Sequence, residues 1–314
     1  MVVIIQEQQE AVEFHDLPEG CIENVLSFTT PRDVARLSLV SSTFRSAAQS
    51  DSVWDKFLPS DYRSIISQCD EEIDNSLSVL SKKDLYVNLT QKPILIDDGK
   101  KSFQLDKVDG KKCYMLSARS LFIVWGDTPR YWKWISVPDS RFSQVAELVS
   151  VCWFEIRGWI NTSMLSPNTL YGVYLVFKAS TSGTYGFEYQ PCEASILIAG
   201  GGGDPVVERN VFLDAERGRR LRYQIVPRRR TGIFSRYLEP PPPPQVEQTE
   251  SVDDLQKYPK ERTDGWLEME LGEYFNEGGD DKEVEISVCE VKGGGWKGGL
   301  VLQGIEIRPK PKSC

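Results

Sequence analysis

The chain contains a single histidine, His15, among 314 residues. Ser-His-Asp and Cys-His nucleophiles and multi-histidine metal centres each need an imidazole inside the site, and a lone one just before a helix start is a surface or cap residue. No metal site and no cofactor are therefore expected. The seven cysteines (Cys21, Cys69, Cys113, Cys152, Cys192, Cys289 and Cys314) are scattered and form no Cys-x-x-Cys pair. An odd, dispersed set reads as reduced thiols, not as a disulfide framework or a zinc site. No apolar run approaches the ~20 residues of a membrane-spanning helix, so no membrane partner is expected. Met1-Val-Val-Ile-Ile5 is too short, and too soon followed by Gln6, Glu7 and Glu10, to be a signal peptide. The expected location is cytoplasmic or nuclear. Asn88-Leu-Thr90 and Asn161-Thr-Ser163 are then accidental matches to the glycosylation pattern.

Positive charge is also in short supply. Lys and Arg number 37 against 46 Asp and Glu, a formal net charge of −9, which opposes general nucleic-acid binding. One stretch runs against the trend: Arg217, Arg219, Arg220 and Arg222, then Arg228-Arg229-Arg230. A solvated strand flank, a nuclear-import patch and a polyanion site all fit it. Glycine clusters at 200–203 and 293–299 lack the GxxxxGK[ST] arrangement of a phosphate loop and read as turns.

What is present falls into two characters, and the length suits about two domains of roughly 150 residues. Residues 1–12 read as a loose tail. From Asp16 the pattern is helical: Pro18 suits a first turn, and Ile22, Val25 and Leu26 form one apolar stripe. Thr30-Pro31-Arg32-Asp33 predicts a second helix with a capping box, and Ser41, Ser42 or Thr43 a third. Val53, Trp54 and Phe57 anchor a fourth short turn. Such a bundle builds only a small core, marginal by itself, and is the kind a partner completes. Helical character continues over 61–102 as a linker, with Pro93 as a stop and Asp97-Asp98-Gly99 as a turn.

From about residue 103, short runs of Val, Ile, Tyr, Phe and Trp recur between turn residues, at 121–125, 148–159, 171–179, 194–198, 221–227, 265–271, 283–291 and 299–307. They predict an all-β antiparallel sandwich, jelly-roll-like, over 103–314. Residues 171–177 suit a buried central strand, and Val284, Ile286 and Val288 alternate inward. A polar insertion at 227–262, carrying the proline run 240–244, reads as a long loop. Within 122–134, Trp125, Tyr131, Trp132 and Trp134 crowd beside Asp127, Arg130 and Lys133. Such a density suits a surface that stacks flat ligands, because aromatic faces supply contact area at little entropic cost.

Residues 13–60, with Leu17-Pro18-Glu19, Ile22, Val25-Leu26, Pro31-Arg32-Asp33-Val34, Val40-Ser41, Phe44-Arg45 and Val53-Trp54, resemble an F-box. The resemblance implies docking on a Skp-type adaptor of a cullin ubiquitin ligase, with Leu17, Pro18, Ile22, Val25, Leu26, Val40 and Trp54 as the adaptor-binding set. Helix-in-groove association would cover the apolar surface that so short a bundle leaves. The remaining chain resembles the phloem-protein-2-type, Nictaba-related lectins, on Ala118-Arg119, Leu121, Ile123 and Trp125, on Tyr131-Trp132-Lys133-Trp134, on 171–178, on Asp264-Gly265-Trp266-Leu267-Glu268, on 271–276 and on 304–309. The fusion of the two is itself a recognisable plant family.

That resemblance implies a non-enzymatic receptor that binds N-acetylglucosamine-containing glycans. By motif position its sugar contacts fall on Trp125 and Trp132, with Glu283 and Glu290 as acidic partners, while Tyr131 and Asp127 add polar contacts. A homodimer through the lectin domain is compatible with it. Trp134 reads as structural. Glu283 and Glu290 are seven apart, an odd separation that puts them on opposite faces of an uninterrupted strand. Both reach one site only if the strand bends or ends before Glu290. Gly126, directly after the first tryptophan, and the 227–262 insertion depart from the bare lectin pattern. A sandwich that binds a protein target and no sugar is the alternative. A glycosidase would need two carboxyls ~5–10 Å apart across a cleft, and no distinctive pair stands out.

Overall fold

The computed structural model describes residues 17–188, 190–198, 207–214, 257–279 and 281–311. His15, the 1–12 tail, the arginine-rich stretch, the 200–203 glycines, the strand expected at 221–227, the proline run and residues 227–256 of the insertion lie outside these residues. The chain divides into two compact units, the first ending at Tyr114 and the second beginning at Met115.

In the first unit, α1 (Glu19–Ser27), α2 (Pro31–Leu37), α3 (Ser42–Ala47), α4 (Asp51–Trp54), α5 (Tyr62–Ile66), α6 (Glu71–Ser78) and α7 (Lys82–Gln91) follow one another closely. Strands β1 (Ile94–Ile96), β2 (Lys101–Leu105) and β3 (Lys112–Ser117) come next, β3 running across the boundary. The helix starts are written in the chain. Thr30 Oγ1 accepts the Asp33 N–H at 3.1 Å and donates to the Asp33 carboxylate at 2.7 Å, while Pro31 opens α2 without needing a donor. Ser41 Oγ accepts the Phe44 N–H at 3.2 Å and starts α3. Ile22, Leu26, Val34, Ala47, Val53 and Trp54 make the core of these short helices. Trp54 ties them to α7: its ring lies 5.3 Å from Tyr86, and its Nε1 donates to the Ala48 carbonyl at 2.8 Å. The β1–β2 hairpin turns on Asp97 and Asp98, both at positive φ (55° and 53°), where short polar side chains are tolerated.

The second unit is mostly antiparallel. It contains β4 (Phe122–Ile123), β5 (Trp132–Ile135), β6 (Val145–Leu148), β7 (Phe154–Asn161), β8 (Thr169–Ala179), β9 (Cys192–Ile198), β10 (Val207–Val211), β11 (Lys260–Glu261), β12 (Leu267–Asn276), β13 (Glu283–Glu290) and β14 (Leu300–Pro309). One sheet runs β14–β8–β12–β11, with β6 beside β14 and β5 beside β6; the other runs β10–β9–β13–β7–β4, and neither closes. Strand β8 sits between β14 and β12, and its residues 171–177 are buried as expected for a central strand. In β13, Val284, Ile286 and Val288 face the core and alternate with exposed or half-buried neighbours.

Two glycines let the sheets approach. A Cβ on Gly158 of β7 would lie 2.7 Å from Leu121 Cδ2 and 3.1 Å from Leu116 Cδ1. One on Gly272 of β12 would lie 2.8 Å from Val207 Cγ1 and 3.0 Å from Ile196 Cδ1, side chains of the opposing sheet. The outer face of the first sheet is closed by charge instead. Glu306 accepts from Arg262 at 2.6 Å, Arg308 at 2.6 Å and Arg141 at 3.3 Å, and Arg308 lies 3.8 Å over the Tyr174 ring. Burial pushes the Glu306 pKa up, but the bond from Arg262 and the surrounding guanidinium charges outweigh it and bring it down to about 2.

Candidate functional site

Each unit carries an exposed apolar or aromatic surface. In the helical unit, an apolar stripe of period 3.6 has an inward and an outward edge. Ile22 and Leu26 of α1 lie inward with Trp54 of α4, and they form core. Val25 is half exposed on the other edge, Phe28 just after α1 is 84% exposed, and Leu39 and Val40, in the turn after α2, are 78% and 69% exposed. Leu17 is half-buried and Pro18 exposed at the entry to α1. The expected adaptor set therefore separates. Leu17, Pro18, Val25 and Val40 are available to a partner, whereas Ile22, Leu26 and Trp54 hold the bundle together. Phe28 and Leu39 were not singled out in the sequence. They lie beyond the regular stripe, past helix ends, where periodicity no longer assigns a face.

In the sandwich, the tryptophan-rich segment splits in the same way. After β4, a tight turn closes through Gly126 N–H to the Ile123 carbonyl at 2.9 Å and puts Trp125 at φ 58°. This left-handed conformation is unusual for a bulky residue and costs about 1–3 kcal/mol. It turns the ring outward, 42% exposed, with its centroid 5.0 Å from that of Tyr131 and the planes 33° apart. Asp127 is exposed in the same loop. Trp134 is fastened structurally: its Nε1 donates to the Gly126 carbonyl at 3.0 Å, and Arg119 sits 3.6 Å over its ring.

Trp132 is not on this surface. It is 2% exposed at the head of β5, roughly parallel to Phe154 with ring centroids 6.4 Å apart. The sequence suggested a sugar-stacking ring here. The pleat decides otherwise, because Trp132 enters a strand whose inner positions face the core while Tyr131 remains at the strand's mouth.

The two acidic positions do not converge. Glu283 is exposed at the first position of β13, opposite Asn161, and Glu290 is buried at the last, opposite Phe154. The strand keeps one register with β7 from Glu283 to Glu290 and does not end early. Seven rises put them ~23 Å apart, on opposite faces. Glu290 pairs with the fully buried Lys297 and accepts the Gly293 N–H at 2.7 Å, so it anchors the 293–297 turn. Lys297 also donates to the Gly295 carbonyl at 2.8 Å.

Other residues come to the Trp125 end. Val124 N–H donates to the Glu155 carbonyl at 3.1 Å, which brings the turn to the start of β7. Trp153, half exposed, donates Nε1 to Glu155 at 2.8 Å, and this bond holds the carboxyl below its ordinary pKa. Val149 N–H donates to the Tyr131 carbonyl at 2.9 Å, and the Tyr185 hydroxyl bonds Ser150 Oγ at 2.9 Å. Trp125, Tyr131, Trp153 and Tyr185 thus edge one end of the sandwich with Ser150, Asp127 and Glu155. Trp153, Glu155 and Tyr185 were missed, because their place at this end of the sandwich depends on pairings that run far along the chain. Exposed aromatic faces interleaved with hydroxyl and carboxylate oxygens can stack on an apolar C–H face and accept bonds from its hydroxyls.

Comparison with known proteins locates both surfaces in established domains. Residues 14–56 match the F-box domain model, and residues 111–309 match the model of phloem protein 2. Putative F-box protein PP2-B12 of Arabidopsis thaliana is 46% identical over 95% of this chain and 99% of its own. F-box protein PP2-B1 of the same plant is 44% identical over 96% of this chain and 91% of its own, and F-box protein PP2-B10 is 43% identical over 96% of each.

The chain belongs to the F-box PP2-B family.

The exposed apolar edge of Val25, Phe28, Leu39 and Val40 is therefore part of an F-box. The Trp125–Tyr131 surface belongs to a phloem-protein-2 domain, the fold and order of domains that the sequence resemblance implied.

Proposed function

We propose that this F-box PP2-B protein is the substrate-recognition subunit of a Skp–cullin–F-box ubiquitin ligase, a receptor and not an enzyme. The observation that carries this reading is the apolar edge on the short helices: Phe28, Leu39 and Val40 stand in solvent although the bundle has a complete core beneath them. A monomer gains nothing from such a patch, and a partner's groove covers it. The phloem-protein-2 domain then selects the target. Trp125, stacked on Tyr131 and held outward at a strained φ, is the platform for an N-acetylglucosamine-containing glycan, with Asp127 as the nearest carboxylate in sequence. Trp132 and Glu290 serve this site only from behind, as packing.

The test uses the full chain twice. Purified Skp-type adaptor should be retained by the wild type and lost with Val40→Asp, and an N-acetylglucosamine oligomer should be bound by the wild type and lost with Trp125→Ala. Retention of the adaptor by Val40→Asp would end the docking assignment.

A second reading keeps the ligase role and gives the Trp125 end to a protein surface. The burial of Trp132 and Glu290 favours it, since both had been assigned to the sugar by motif position. A glycan array without binders, alongside an intact adaptor complex, selects this reading.

A further inference from the structure

In the helical unit, α5, α6 and α7 line a half-open cavity of about 410 Å³, with Arg63, Ser67 and Ser78 exposed at its rim. This is inside the ~300–1,000 Å³ range of small-molecule sites. Ile66, Leu77, Leu80 and Leu85 form its apolar wall. Its polar end is built on one phenol. The Tyr62 hydroxyl accepts from Arg63 Nε at 2.9 Å and from Lys82 Nζ. The Lys82 ammonium also lies 4.5 Å from the Tyr62 ring centroid and the Arg63 guanidinium 5.7 Å.

Two cations thus share one neutral oxygen. Among the described residues neither Arg63 nor Lys82 forms an ion pair, and Asp74, also in the lining, forms none either. Elsewhere in the same unit cations do find carboxylates: Lys112 is 3.0 Å from Asp61, and Lys101 is 2.8 Å from Asp97. Burial alone would raise the Tyr62 pKa, yet the bonds and charges of Lys82 and Arg63 lower it. An oxyanion there would accept bonds from both cations, and bonds between charged groups are about twice as strong as neutral ones.

We infer that this cavity is a binding site for a small organic monoanion, a carboxylate on an apolar ring or chain. The carboxylate takes the place in front of Arg63 and Lys82, and the apolar body lies against Ile66, Leu77, Leu80 and Leu85. Within the lining two cations stand against Asp74, and Asp55 acts on Arg63 from outside it, so a ligand of no more than one negative charge fits. The guanidinium nitrogens of Arg63 not used by Tyr62 suit a planar carboxylate.

The experiment is calorimetric titration of the full chain with 1-naphthoate, octanoate, 1-naphthalenemethanol and inorganic phosphate. Saturable binding is expected for at least one carboxylate, at least tenfold tighter than for the neutral alcohol or phosphate. Lys82→Gln and Arg63→Gln should each weaken carboxylate binding about tenfold with unchanged circular dichroism. Ser67→Trp, an exposed position in the lining, should block it. Tyr62→Phe removes the competing oxygen and should tighten binding several-fold, an effect opposite in sign to simple damage. No saturation with either carboxylate, equal affinity for the alcohol, phosphate binding as tightly as either carboxylate, or full binding by Lys82→Gln would each overturn the assignment.

Discussion

Tyr131 and Trp132 are neighbours in the chain and lie on opposite sides of the sandwich wall. Tyr131 stacks outside with Trp125 at 5.0 Å, and Trp132 packs inside at 6.4 Å from Phe154. One peptide unit separates the Trp125 contact from the core, because β5 begins between them and successive side chains of a strand point to opposite faces.

Trp125→Ala and Trp132→Ala should therefore fail differently. The first should cost at most about 1.5 kcal/mol, the loss of one aromatic pair at the surface, and remove ligand binding at the Trp125 end. The second should lower stability by about 3–5 kcal/mol, as for other buried aromatics. Unfolding curves and glycan binding on the same preparations check both. Equal destabilisation by the two would contradict the placement of the rings.

The same contrast applies in the helical unit. Phe28→Ser and Val40→Asp remove exposed apolar groups and should weaken adaptor retention at least tenfold, with the melting temperature unchanged. Leu26→Ala removes a buried group of α1 and should cost about 2–5 kcal/mol, so that adaptor binding falls only with folding. Pull-down beside a thermal melt separates the outcomes.

Glu290 and Lys297 are an internal pair, and breaking it should cost more than deleting it. Glu290→Gln leaves a buried ammonium without its counter-charge, with a loss of about 3–5 kcal/mol expected. Glu290→Gln combined with Lys297→Met should recover most of that loss. A double-mutant cycle in urea measures the coupling, and additive losses would show that the two charges do not act on each other.

Acid should loosen the outer face of the first sheet through Glu306. Its folded pKa, about 2, lies below that of an unfolded glutamate. The stabilisation is thus complete above the unfolded value of about 4.3 and disappears as pH falls from there toward 2, a span worth on the order of 3 kcal/mol. The stability difference between wild type and Glu306→Gln should shrink across that window. A difference that stays constant from pH 6 to pH 2.5 would refute the coupling to Arg262, Arg308 and Arg141.

Much of the architecture was readable along the chain. Thr30 and Ser41 cap where their spacing to Asp33 and Phe44 requires, and the alternation of Val284, Ile286 and Val288 names the inner face of β13. Such signals are local, set by a few consecutive residues and the period of the element they build. The exposed aromatic surface was legible only in part. Trp125 and Tyr131 stand where the aromatic cluster suggested a platform, but the motif could not show which rings a two-residue pleat turns inward.

By itself, then, the sequence determined the two families, the order helical module then sandwich, and the crowd of aromatics at 122–134. Propensity, capping and motif identity are properties of short stretches, and short stretches carry them intact. Only the tertiary structure decided that Glu290 lies inside against Lys297, that Phe28 and Leu39 are exposed beside Val25 and Val40 in sequence, and that Trp153 bonds Glu155 while Tyr185 bonds Ser150. These depend on strand register and on which segments pair across the fold, where a shift of one residue exchanges core for surface.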